Sequence, residues 1–97
     1  MFELTTSKDS TVHITGELLI HDVEEFYNIT QELLNNNSPA TFDLSGLTNI
    51  DVSALQVFLS YKRSLQEESK FAICAASDEV KKIIKLTGLA KPLHVIV

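Results

Sequence analysis

Apolar and polar residues alternate with two different periods along this chain. Near residues 11–16, Val12 and Ile14 alternate with His13 and Thr15, the period of a half-exposed strand. Residues 2–6 read as a partner strand, with the turn-like "SKDS" between the two, and Gly16 then breaks the pattern ahead of "ELLI". From about 22 to 35 the period becomes helical: Val23, Phe26, Tyr27, Thr30, Leu33 and Leu34 share one face. Asp22 stands where a carboxylate can cap that helix, and Glu24 and Glu25 suit the positive end of its dipole. "NNNSP" (35–39) reads as a helix exit and loop.

A short strand over 40–44 follows and ends in a polar loop. The next helix runs from about 52 to 67, with Leu55, Phe58, Leu59, Lys62 and Leu65 as its inner stripe. "KFAICAA" (70–76) is nearly all apolar, as expected of a strand covered on both faces. In "SDEVKKIIKLTG", Ser77 is placed to cap and Val80, Ile83, Ile84 and Thr87 share a face. Gly88 fits the left-handed exit, with Leu89 folding back onto Ile84. "LHVIV" (93–97) ends the chain as a short strand. The order β-β-α-β-α-β-α-β predicts one α/β domain over 1–97, with a mixed sheet of four to five strands and three main helices.

Composition narrows the function. Ninety-seven residues with 44% hydrophobic and 22% charged side chains fit one globular domain. A net charge of -5 without a basic cluster argues against nucleic acid and against an anionic membrane surface. No apolar run approaches the roughly 20 residues that span a bilayer, and "MFELTTSKDS" lacks the pattern of a signal peptide. The single Cys74 has no internal disulfide partner and reads as a core thiol. These features point to the cytoplasm.

Several chemistries find no support. Three dispersed glycines do not make a phosphate-cradling loop. "DVSAL" lacks the glycines of a hydrolase elbow. Asp43 and Asp51 alone do not build the Mg²⁺ pocket of a receiver domain. His13, His21 and His94 lack metal-ligand spacing. No cofactor and no enzymatic activity are expected.

The remaining question is "LTNIDVSALQVFLSYKRS" (47–64). On spacing alone, Asp51 caps a helix and Ser53 sits in its first turn, where small polar residues are common. The wider pattern resembles the STAS domain family, which includes the anti-sigma factor antagonists. That family carries a D-L-S strand, then D-[ST]-[ST]-G-L at a helix start, then S-x-x-V-x-x-x-[IL]-x-x-x-G-L. Here these are Asp43-Leu44-Ser45, Asp51-Val52-Ser53-Ala54-Leu55, and Ser77 through Gly88-Leu89. "ITGEL" (14–18) resembles the family's G-E-L turn.

The resemblance implies a STAS-like fold and control by partner switching. It makes Ser53 the phosphoacceptor of a partner serine kinase, itself an anti-sigma factor with a histidine-kinase-like ATPase fold. A PP2C-type phosphatase would reverse the modification. The implied docking surface is the N-terminal half of the second helix (Asp51, Val52, Ala54, Leu55, Gln56) with the loops "LSGLTN" and "GELLIHD", among them Ser45, Asn49 and Glu17. The alternative is a STAS binding subunit, not phosphorylated, that scaffolds a chemotaxis-type or lipid-transport complex. Three positions depart from the pattern. Val52 replaces the first Ser/Thr, Leu19 stands where many members have Asp, and Ala54 replaces Gly, adding a methyl expected at the docking turn. The chain is expected to be a monomer.

Overall fold

A computed structural model describes residues 1–95. Its elements are β1 (Phe2–Thr6), β2 (Thr11–Leu18), α1 (Val23–Asn35), β3 (Thr41–Ile50), α2 (Val52–Ser64), β4 (Ala72–Ala76) and α3 (Asp78–Thr87). Short 3-10 turns precede α1 (Ile20–Asp22) and β4 (Glu68–Lys70). The strands form one mixed sheet in the order β1-β2-β3-β4. β1 and β2 are an antiparallel hairpin, while β2–β3 and β3–β4 are parallel. Val95 makes a single parallel bridge to Ile73, beside β4, while Leu93 and His94 of the expected last strand lie in a turn. The rest of that strand, residues 96–97, lies outside the described residues.

One face of the sheet is apolar and carries the helices. Val12, Ile14, Phe42, Leu44 and Ile73 from the strands meet Phe26, Phe58 and Val80 from the helices in a single core. The other face is polar and partly open to water, with His13 and Asp43 joined across β2 and β3 at 2.9 Å. This corrects the reading of β4 as covered on both sides. Ile73 and Ala76 are buried, but Ala72, Cys74 and Ala75 are only half-buried. Small side chains expose little apolar area, so a run of Ala and Cys tolerates a half-open face. Cys74 is therefore not a core thiol. Burial and the nearby Asp43 carboxylate still raise its pKa, which keeps it protonated.

β3 is twice as long as its apolar pattern suggested. The polar stretch Ser45–Asn49 remains in the ladder through two irregularities in the β2–β3 register: His13 pairs with Asp43 but Thr15 with Gly46, and Gly16 pairs with Leu47 but Glu17 with Asn49. Each places an extra residue in β3, which breaks strict alternation. β2 likewise runs past Gly16 to Leu18.

The helices follow their signals with three exceptions. Asp22 does not cap α1: its carboxylate turns back to accept the Leu19 N–H at 3.0 Å and the Met1 amino group at 3.2 Å. Tyr27 lies outside the buried stripe. α2 buries a broad face, through Ala54, Leu55, Val57, Phe58, Leu59 and Tyr61, leaves Gln56, Ser60 and Arg63 exposed, and ends at Ser64 rather than near 67. The Lys62 ammonium reaches the Pro92 carbonyl at 2.6 Å. α3 ends as expected, with Gly88 at φ 73° and the Leu89 N–H bonded to the Ile84 carbonyl.

Candidate functional site

The junction between β3 and α2 sits where the parallel strands end. Leu18 and Ile50 are the last β2–β3 pair, and the Asp51 N–H donates to the Leu18 carbonyl at 2.7 Å. The chain then turns into α2. Asp51 has extended backbone angles, and its carboxylate accepts the Ser53 N–H at 2.9 Å. The same carboxylate oxygen accepts the Ser53 hydroxyl. These bonds, the hydroxyl's first and the backbone N–H's second, hold the Asp51 pKa below the usual carboxylate value against a small opposing effect of burial. Ser53 is half-buried and Val52 beside it is 45% exposed.

The other expected docking residues divide into two groups. Glu17 and Asn49 are exposed and paired across β2 and β3, one step before the Leu18–Ile50 pair. Gln56 is exposed on the next turn of α2. Together with Asp51, Val52 and Ser53 they occupy one end of the molecule. Ser45 is also exposed, but it is four residues upstream on β3, roughly 13 Å away along a strand. Its N–H donates to Asp43 at 2.9 Å, so it belongs to the neighbourhood of the open sheet face.

Ala54 and Leu55 are fully buried and present no side chain to a partner. Helical geometry turns positions three and four after Asp51 toward the core. The methyl that Ala54 adds relative to the family's glycine therefore points inward, and it does not stand in the way of an approaching loop. Of the departures from the motif, Val52 is exposed, Leu19 is half-buried and Ala54 is buried.

Ser77, the cap of α3, ties this end together. Its hydroxyl accepts the Val80 N–H at 3.3 Å and donates to the Leu47 carbonyl of β3. Within the expected loop "GELLIHD", Ile20 is 66% exposed in the 3-10 turn after β2. Among the described residues no group of three or more His, Cys, Asp or Glu side chains is placed to hold a metal ion. No helix among them is long and apolar enough to cross a membrane.

The family profile described as "Mlab, STAS domain" matches residues 2–97. The chain belongs to the STAS domain family. Solved structures similar to this STAS domain include an anti-sigma factor antagonist from Mycobacterium paratuberculosis (20% identity, TM-score 0.79, covering 98% of this chain and 83% of that one). The Bacillus cell fate determinant SpoIIAA in its phosphorylated form is another (22% identity, TM-score 0.64, 100% of this chain and 92% of that one). The unphosphorylated form of SpoIIAA matches at 22% identity and TM-score 0.63, over 89% of this chain and 83% of that one. At these identities the structures establish the shared fold. No curated protein matches the sequence.

Proposed function

We propose that this STAS domain is a non-catalytic cytoplasmic regulator that works by partner switching, in the manner of an anti-sigma factor antagonist. Its switch is reversible phosphorylation of Ser53 by a partner serine kinase with a histidine-kinase-like ATPase fold, undone by a PP2C-type phosphatase. The observation that carries this reading is the position of the Ser53 hydroxyl. It lies in the first turn of α2, at the end of the parallel strands, bonded to the carboxylate of Asp51 and next in the chain to the exposed Val52.

The physics of that position suits a switch. A phosphate adds about -1.5 to -2 charge where the helix dipole is positive, so the fold accommodates it. The nearby Asp51 carboxylate repels it, so the hydroxyl-to-carboxylate bond is lost. At an interface, a desolvated dianion without a cation costs on the order of several kcal/mol. At about 1.4 kcal/mol per decade of affinity, that is enough to release a partner.

A second reading is favoured by one observation. The Ser53 hydroxyl is already engaged by Asp51, as a purely structural helix start requires. In that reading the domain is a scaffold subunit of a signalling or lipid-transport complex. The test is phosphate occupancy. The purified chain is incubated in lysate of its native cells with ATP and phosphatase inhibitors, and the Ser53 peptide is mapped by mass spectrometry. Phosphate on Ser53, absent from Ser53→Ala, supports the switch. An unlabelled chain in a lysate that labels other phosphoproteins selects the scaffold.

A further inference from the structure

The helix layer carries opposite charges on its two flanks. On α1, Glu24, Glu25, Asn28 and Glu32 are exposed and, with His21 and the half-buried Ile29, line an open groove of about 460 Å³. None of the three glutamates has an ion-pair partner among the described residues. At the groove's first turn the Met1 ammonium and the His21 ring both face Asp22, at 3.2 and 3.7 Å. On α2, which packs against α1, the Lys62 ammonium is bonded to the Pro92 carbonyl and Arg63 pairs with no carboxylate.

α3 forms the other flank. Lys82, Lys85 and Leu86 are exposed and stand at i, i+3 and i+4, so they share one face. Leu86 is 84% exposed. Asp78 and Glu79 are exposed one turn earlier, and neither is within ion-pair distance of a lysine. The helix dipole accounts for a lysine in the last turn of α3. It does not account for a leucine held in water beside that lysine. α1 and α3 each pack on α2, which stands between them, so a single copy cannot bring its lysine face to its own groove.

We infer that the chain associates with itself head to tail, the α3 face of one copy seated in the α1 groove of the next. Glu25 and Glu32 stand two turns apart, roughly 10 Å along the helix, which leaves Ile29 open between them. Leu86 meets Ile29 there, and Lys82 and Lys85 reach the glutamates on the rim. The leucine excludes water from the rim pairs and so strengthens them, while the opposite charges fix which face meets which. The two faces differ, so the contact is heterologous and extends from copy to copy instead of closing as a two-fold dimer. One leucine and a shallow groove make a small interface, at the weak end of the range for proteins. Neither face includes Ser53 or depends on its phosphorylation, and the association departs from the expected monomer.

Sedimentation velocity of the purified chain at rising concentration tests this. The weight-average sedimentation coefficient of the parent chain is expected to climb with concentration without levelling off at two copies. Leu86→Ser weakens the association at least about fivefold, because it removes the central apolar contact. Lys82→Glu/Lys85→Glu and Glu25→Lys/Glu32→Lys each weaken it more than about tenfold, by placing like charges together. An equal mixture of these two double variants restores it, since each reversed face then finds its complement on the other protein. Both double variants keep a net negative charge, so gross charge does not drive their mixing. Lys8→Glu/Lys70→Glu, the same change of charge placed elsewhere, stays within about twofold of the parent. A parent chain that sediments as a monomer at every concentration, or stops at two copies, overturns the proposal. So does a mixture that stays monomeric, or a Lys8/Lys70 variant that loses as much as the Lys82/Lys85 one. A monomeric parent chain that binds phosphatidylglycerol vesicles through Lys82 and Lys85 assigns the α3 face to a membrane and also overturns it.

Discussion

Asp51 and Ser77 are both helix caps, and each does more than cap. Asp51 accepts two bonds from Ser53, while Ser77 accepts from Val80 and donates to Leu47 of β3. Replacing Ser77 by alanine removes both and is expected to lower stability by about 1–2 kcal/mol, read as a shift of the urea midpoint at constant slope. The carboxylates also set an acid limit. Hydrogen bonds to Ser7, to the Leu19 N–H and to Ser53 lower the pKa of Asp9, Asp22 and Asp51 respectively. For Asp43 burial is the largest influence and acts upward, but bonds from Ser45 and the contact with His13 together outweigh it, and the net shift is down. A depressed folded pKa means that the unfolded chain binds protons first as pH falls. The stabilisation is complete above the unfolded value of about 3.9 and is lost below it, as pH drops through the folded values. Urea midpoints are expected to be level in these carboxylates' contribution from pH 7 to 5 and to fall below pH 4. Asp51→Asn should flatten part of that acid slope.

At the scale of elements, two glycines fix the long central strands. Gly16 has φ 93°, and a Cβ there would sit 2.5 Å from the Met1 carbonyl oxygen. That carbonyl accepts the Glu17 N–H at 2.9 Å, so it is held in place. Gly46 pairs with Thr15, and a Cβ there would meet the Thr15 methyl at 2.5 Å. Gly16→Ala is expected to destabilise by at least about 1–2 kcal/mol from the left-handed backbone alone, with added strain from the carbonyl. Denaturant unfolding measures the loss, and amide exchange should rise first in Glu17, Asn49 and Ile50. Because that end of the ladder carries Asp51, the same substitution is expected to loosen the start of α2.

For the whole molecule, an aromatic cluster joins the sheet to the helix layer. Phe42 of β3 lies 5.3 Å from both Phe58 and Tyr61 of α2 and 5.5 Å from Phe71, measured between ring centres. Phe26 links α1 to Phe58 at 5.1 Å. The buried Tyr61 hydroxyl donates to the Pro39 carbonyl at 2.6 Å, and burial pushes its pKa to about 12. Phe42 is fully buried and is the sheet's member of this cluster, so Phe42→Ala is expected to remove about 3–5 kcal/mol. Against a typical total of about 5–15 kcal/mol for a small domain, that leaves the variant near unfolding at 37 °C. Calorimetry reads this as a large fall in Tm.

The alternation of Val12 and Ile14, the helical stripes of α1 and α3, and the caps at Asp51, Ser77 and Gly88 were all legible in the sequence. Each depends on neighbours within a turn or two, where local geometry decides. The motif around Asp51 and Ser53 was legible for the same reason. Tertiary structure decided the rest. The length of β3 was hidden because its extra residues against β2 break the period that identifies a strand. Asp22 leaves its helix because a more distant donor, the Met1 amino group, competes for its carboxylate along with the Leu19 N–H. Leu55 lies on the stripe that the sequence marks as the inner face, and Ala54 falls inside because the buried face of α2 is wider than that stripe. The chain after β2 and the start of α2 lie at one end of the sheet only because β2 and β3 are parallel and end together at the Leu18–Ile50 pair.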